Sequence, residues 1–131
     1  MQALGSYRDG RMLFLGLGTG LGSTLVWANN VLPLELGDLP YGNGHVIEDY
    51  LGKSGMKQLG EKVWKREVLH AALLLKKSLI ADYLVLGGGN AKKFDELPGG
   101  VELGHNRNAF LGGVRLWQVD PKTSRPKWNI M

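Results

Sequence analysis

Residues 14–23 read FLGLGTGLGS, with glycine at every second position: Gly16, Gly18, Gly20 and Gly22. An apolar run at 12–15 leads into the stretch, and a second strand-like run at 24–28 leaves it. Glycine carries no Cβ, so alternate glycines leave one edge of the backbone bare. Bare backbone lets a ligand come close to the amide N–H groups, which suits phosphate. Thr19 adds a hydroxyl donor at the apex. Two readings stand side by side: a phosphate-facing turn between two strands, or a glycine-rich hairpin that binds nothing. The stretch is not a Walker A loop, because no Gly-Lys-Ser/Thr follows. It is not the G-x-G-x-x-G dinucleotide fingerprint either, because position 21 is Leu and a strand follows.

Working outward, residues 11–17 and 23–28 read as the first two strands. Asn29-Asn30 suits a two-residue turn, and residues 31–34 form a third strand, bent or ended by Pro33. The result is a three-stranded antiparallel meander. Upstream, residues 1–4 read as the end of a helix stopped by Gly5, and Asp9-Gly10 as a turn. Downstream, Glu35 and Asp38 flank Gly37. Such acids either accept hydrogen bonds from sugar hydroxyls or sit on the surface beside a turn. Residues 46–51 suggest a helix with Glu48 and Asp49 outward. Residues 52–60 suggest a break with one helical turn that Ser54 caps.

The clearest helix spans 61–81, where Trp64, Val68, Ala71 or Ala72, Leu75 and Leu79 recur at three- and four-residue steps. Tyr83 to Leu86 follow as a short buried strand, and helix then buried strand marks an α/β fold. That strand ends in Gly87-Gly88-Gly89-Asn90. A glycine run beyond a buried strand is a common ligand position in open α/β sheets: a flat ring against the backbone, with Asn90 reading an edge. The alternative is a plain strand-to-helix turn. A short helix or loop at 91–97, a turn at 98–100, a strand at 101–103 and a helix at 108–117 complete the domain. The segment 118–131, with two prolines, reads as a loosely ordered tail.

The chain has 131 residues, enough for one core. Its 20 glycines, about twice the usual share, lie in loops without a collagen period. There is no cysteine, which excludes disulfides and thiolate metal sites and is compatible with a reducing compartment. No run has the length of a membrane helix, and no secretory pattern opens the chain. The expectation is a cytoplasmic protein without a membrane partner. The net charge of +4 is spread over Lys62, Lys65, Arg66, Lys76, Lys77, Lys92, Lys93, Lys122, Arg125 and Lys127. No single basic face results, so no nucleic-acid partner is expected. His45, His70 and His105 lack metal-ligand spacing, and there is neither a G-x-S-x-G elbow nor a cysteine nucleophile.

In their order, these pieces resemble the C-terminal lobe of ROK-family sugar kinases, a ribonuclease H-like half of the actin/hexokinase/Hsp70 ATPase fold. LGLGTGLGS resembles the family's second phosphate motif, LELGD its sugar-binding Glu-x-Gly-His element, YLVLGGGNA its adenosine-side glycine motif, and LGHNRNAFLGGVRLW its closing helix. The resemblance covers residues 1–117 and is nearest to glucokinase-like members, including those that use polyphosphate. It implies that Gly18, Thr19, Gly20 and Gly22 contact donor phosphates. It also implies that Gly87, Gly88, Gly89 and Asn90 lie beside adenine and ribose, and that Glu35, with Asp38, meets the sugar. The implied donor is ATP or polyphosphate with Mg²⁺.

There are departures from the family. Asp38 stands where the family has His, and the cysteine-rich zinc element is missing. The first phosphate motif and the Asn-Asp pair that supplies the catalytic base belong to an N-terminal lobe that these residues do not match. The resemblance therefore implies a lobe inactive by itself, which self-associates or pairs with an N-terminal lobe. A non-catalytic oligomeric binding remnant and a fragment of a ROK-type repressor are the alternatives.

Overall fold

The computed structural model describes residues 2–105 and 107–131. Helix α1 (Gln2–Ser6) precedes β1 (Arg11–Leu17), β2 (Leu21–Trp27) and β3 (Asn30–Leu34). A 3₁₀ turn at Leu36–Asp38 leads to helices α2 (Ile47–Leu51), α3 (Lys53–Leu59) and α4 (Glu61–Ser78). Then come β4 (Tyr83–Gly87), a second 3₁₀ turn (Gly89–Lys93), β5 (Val101–Leu103), α5 (Arg107–Leu116) and β6 (Asn129–Ile130). The strands form one six-stranded sheet in the order β5-β4-β1-β2-β3-β6. β1 pairs antiparallel with β2 and parallel with β4.

Because β1 has a strand on each side and helices above and below, Met12 to Leu15 and Leu17 are all buried. This is why it reads as an unbroken apolar run and not an alternating one. Leu13, Leu15 and Leu17 join Leu84, Leu86 and the inner residues of α2 and α4 in one core. Met12 and Phe14 join Val26, Val85 and α1 in a second core on the opposite face. Side chains that alternate along each strand thus feed two separate apolar layers. α4 presents Trp64, Val68, Ala71, Ala72 and Leu75 to the first layer, as its three- and four-residue spacing predicts.

Several local expectations are corrected. β2 begins at Leu21, so Gly22 lies inside the ladder opposite Gly16. The β2–β3 turn is Ala28-Asn29, with φ of 51° and 65°, one residue earlier than expected. These angles suit the tight turn that matches strand twist. Gly5 does not stop α1 but lies within it, against the backbone of α5 at Asn108 and Gly112. α3 starts at Lys53 with Gly52 as its N-cap and no side-chain cap, so Ser54, inside the helix, does not cap it. α4 ends at Ser78, three residues short of the expected limit. The end of the tail is held: β6 pairs with β3 at Asn30 and Val31, and Trp128 is buried in the second core.

Candidate functional site

β1 and β4 run parallel, so both glycine turns lie at the same edge of the sheet, beyond the strands' C-terminal ends. This is where open α/β sheets hold ligands. Gly16 pairs with Gly22 on one side and with Gly87 on the other. Three glycines therefore form a row across β2, β1 and β4, and the Phe14 ring lies close to Gly16 and Gly87. The row is visible only once the strand register is known.

The first turn is closed by Gly18 N–H donating to Gly20 O (3.2 Å) and held by Lys53 N–H donating to Thr19 O (3.0 Å). Asn90 reaches it from the second turn, its Nδ2 donating to Gly18 O at 3.5 Å. The two predicted glycine motifs are thus in contact. Thr19 is exposed at the tip.

The glycines at this edge differ in why they are glycine. A Cβ on Gly87 would collide with the Phe14 ring. Gly88 has a φ of +82°, and a Cβ there would lie 2.5 Å from Leu17 O. Internal packing accounts for both. Gly18 and Gly89 have nothing within 4 Å of a built Cβ, and their φ lies outside the left-handed region. Neither sterics nor conformation inside the chain requires glycine at these two positions. A Cβ on Gly22 would only graze Gly16 O at 4.0 Å. The outer backbone of both turns is open to approach.

Glu48, expected to face outward, is half-buried and turned inward. Its Oε1 accepts a hydrogen bond from Leu21 N–H at 3.1 Å. A Cβ on Gly20 would strike that same oxygen, and one on Gly37 would lie 3.2 Å from Glu48 Cβ. The carboxylate is therefore seated between the glycine turn and the Leu36–Asp38 turn, and it couples the two. Ser23 adds a second link, since Oγ donates to Leu34 O (2.9 Å) and accepts from Leu36 N–H (3.1 Å). Glu35 and Asp38 are exposed on either side of this turn. Sequence reasoning missed Glu48, Ser23 and Lys53, whose roles follow from contacts 11 to 34 residues away along the chain. The short apolar-polar pattern of 46–51 carries no periodicity that could have turned Glu48 inward.

Beside the second turn lies a hollow of about 200 Å³ lined by Gln2, Gly88, Ala91, Lys92, Leu103, Gly104 and His105. Gln2 reaches into this corner, its Oε1 accepting from Gly88 N–H at 3.4 Å. Among the described residues no three His, Asp or Glu side chains come together to hold a metal ion.

Sheet, flanking helices and the two glycine turns define an actin/hexokinase-type lobe. Solved structures of that class share its fold. The inorganic polyphosphate/ATP-glucomannokinase of Arthrobacter sp. strain KM matches with a TM-score of 0.60 and 24% identity over 79% of this chain. The ROK hexokinase of Thermus thermophilus matches at 0.57 and 19% over 85%. A ROK-family protein of Streptococcus pneumoniae TIGR4, solved with sucrose, matches at 0.63 and 10% over 86%. These likenesses, all under 25% identity, establish the fold. The chain spans 45%, 60% and 61% of those structures' own lengths. No protein-family model and no curated protein matches it. No helix among the described residues is long and apolar enough to cross a membrane.

Proposed function

We propose that the chain is the phosphate- and sugar-facing lobe of a ROK-type, glucokinase-like sugar kinase that uses ATP or polyphosphate. The observation that carries this reading is the pair of bare glycines, Gly18 and Gly89, on touching turns at one sheet edge. Gly18 N–H closes the turn on Gly20 O, so the amides this reading offers to phosphate oxygens are those of Thr19, Gly20 and Gly89, which no side chain shields. In this reading the turn at 18–20, with Gly22, meets the donor phosphates. Gly87 to Asn90 border the adenosine side, next to the hollow at Gln2 and Lys92. Glu35 and Asp38 offer acceptors to sugar hydroxyls, and Glu48 sets the spacing between the two groups.

Phosphoryl transfer depends on positioning and charge neutralisation, with a base to take the hydroxyl proton. The lobe provides positioning on one side of a cleft. Its best-placed carboxylate, Glu48, is engaged with Leu21 N–H. Turnover therefore needs a second wall carrying the base. In its absence the same surface acts as a non-catalytic binding module.

The test is a titration of isotope-labelled protein with Mg·ATP, inorganic polyphosphate and glucose, each alone and together, followed by backbone amide shifts. Phosphate donors are expected to move Gly18, Thr19, Gly20 and Gly89, and glucose to move residues 35–38. Shifts confined to surface lysines at millimolar ligand would sink the reading. A coupled glucose-phosphorylation assay on this chain is expected to show no turnover above background, and robust turnover would overturn the one-wall mechanism.

A further inference from the structure

At the end of the sheet opposite the glycine turns lies a hollow of about 480 Å³, whose walls include Arg8, Asp9, Asn29, Arg115, Gln118 and Lys127. β1 starts at this end and finishes at the glycine turns, so its seven residues hold the two places about 20 Å apart. The charges around the hollow do not cancel. Arg8 donates through both Nη atoms to the carboxylate of Glu102, which closes that pair. Asp9, the acid on the wall, accepts from Gly10 N–H at 2.8 Å. Among the described residues neither Arg115 nor Lys127 pairs with a carboxylate.

Donors are also left over. Arg115 Nη1 donates to Leu4 O (2.7 Å) and to Tyr7 O, which fixes the guanidinium and uses two of its five N–H groups. Its Cζ lies 5.6 Å from the centre of the Trp128 ring. Nε–H and the two Nη2 hydrogens have no acceptor among the described residues, where no buried side-chain nitrogen lacks a partner. Those three hydrogens therefore face solvent. Gln118 Oε1 accepts from Trp128 Nε1–H (3.1 Å), which turns the amide NH₂ the other way. Lys127 N–H donates to Gln118 O (2.9 Å), so its backbone is held while its side chain is exposed.

We propose that this hollow binds a phosphate-type oxyanion, either inorganic phosphate or the phosphate of a small phosphomonoester, with the Arg115 fork, the Gln118 amide and Lys127 as donors. A planar guanidinium offers parallel N–H groups that match two phosphate oxygens. Because two carbonyls already hold Arg115, less rotamer freedom is lost on binding than a loose surface arginine would lose. Lys127 adds a second positive charge. The open surface of the hollow is mostly nitrogen and oxygen. A nucleobase would find no apolar wall there, so the ligand is small and polar. Arg115 belongs to α5, whereas Gln118 and Lys127 belong to the segment that leads to β6. A bound anion thus also clasps that segment to the domain. The site shares no residue with the glycine turns and stands apart from any binding there.

The experiment titrates isotope-labelled intact chain with inorganic phosphate, with glycerol 3-phosphate and, as a control, with glycerol. Each ligand is taken to about 20 mM, with sodium chloride holding the ionic strength at about 0.15 M or above. Both phosphate compounds, and not glycerol, are expected to give saturable shifts at the Trp128 indole N–H and at Arg115 Nε–H. The tighter of the two identifies the source of the anion. Gln118→Glu keeps an acceptor for Trp128 and replaces the spare donor by a negative charge. Combined with Lys127→Gln, it is expected to weaken binding at least tenfold, with far-UV circular dichroism unchanged. Lys53→Gln, beside the glycine turn, is expected to leave it unchanged. Shifts at Gly18, Thr19 and Gly89 are read separately, so failure at either end of the sheet is distinguishable from failure at the other. The absence of saturable shifts at Trp128 and Arg115 would overturn the site. Binding that survives Gln118→Glu/Lys127→Gln undiminished would overturn the assigned donors.

Discussion

At the residue scale, the glycines of the sheet edge separate into two kinds, and substitution distinguishes them. Gly18→Val adds a side chain where the protein has open space, so stability is expected to change by no more than about 0.5 kcal/mol. The added methyls would stand over the amides of the turn, and binding of Mg·ATP or polyphosphate is expected to fall at least tenfold. Gly88→Ala forces a Cβ into Leu17 O at a φ of +82° and is expected to cost about 2 kcal/mol or more in urea unfolding. Equal destabilisation by both would remove the argument for an open phosphate turn. Tyr41 makes a different residue-scale prediction. Burial pushes its phenol above the ordinary tyrosine value, and the hydrogen bond from its hydroxyl to Glu67 Oε2 (2.9 Å) adds to the push. A group with a raised folded pKa gives stability that is complete below its unfolded pKa, about 10 for tyrosine, and lost as pH rises beyond it. Unfolding free energy is therefore expected to drop above about pH 10, and to drop less in Tyr41→Phe. Parallel urea titrations of the two proteins at pH 9 and pH 11 check this, since lysine titration is common to both.

At the element scale, α4 stops where its sequence offers no stop signal. Ala81 N–H donates to Lys76 O (2.9 Å) and Ile80 N–H to Lys77 O (3.2 Å), the two bonds of a Schellman end. The residue that must turn left-handed is Ile80, at φ 54°. A β-branched residue is poorly suited to that conformation, and Ile80 is 73% exposed, so it gains little from burial. Ile80→Gly is expected to stabilise the protein by about 1 kcal/mol, read as a higher urea midpoint at unchanged slope. A glycine at position 80 would have marked the end of α4; without one, apolar spacing carried the expected helix on to residue 81. The same contrast explains what else was legible. β1 matches its expected limits because an apolar run bounded by polar or glycine residues has one reading, and β5 matches because the Pro98-Gly99-Gly100 turn and Gly104 bound it. The meander and both glycine motifs were legible for the same reason. β6 was not, because two exposed residues carry no period and pair only through β3. Nor was the seat of Glu48, because the five residues of α2 are too few to show which side faces in.

At the scale of the whole molecule, the sheet separates two apolar layers with different tasks. Trp64 belongs to the first. It is fully buried, it packs on Phe94 at 5.6 Å, and its Nε1–H donates to Leu51 O (3.0 Å) at the end of α2. Through α2 it supports Glu48 and so the glycine turn. Trp128 belongs to the second. It meets Tyr7 edge-on at 5.6 Å and Arg115 at 5.6 Å, beside the start of β3 and far along the strands from the glycine edge. Each truncation to alanine removes a buried indole and is expected to cost about 3–5 kcal/mol, lowering Tm by 10 °C or more. Their effects on ligand should diverge. Below its lowered Tm, Trp128→Ala is expected to retain the amide shifts of Gly18 and Gly89 on adding Mg·ATP. Trp64→Ala is expected to lose them while still folded, because α2 no longer holds Glu48 against Leu21. If both variants lost the shifts, the layers would act as one unit, and support of the site would have to be traced through the sheet and not through α2.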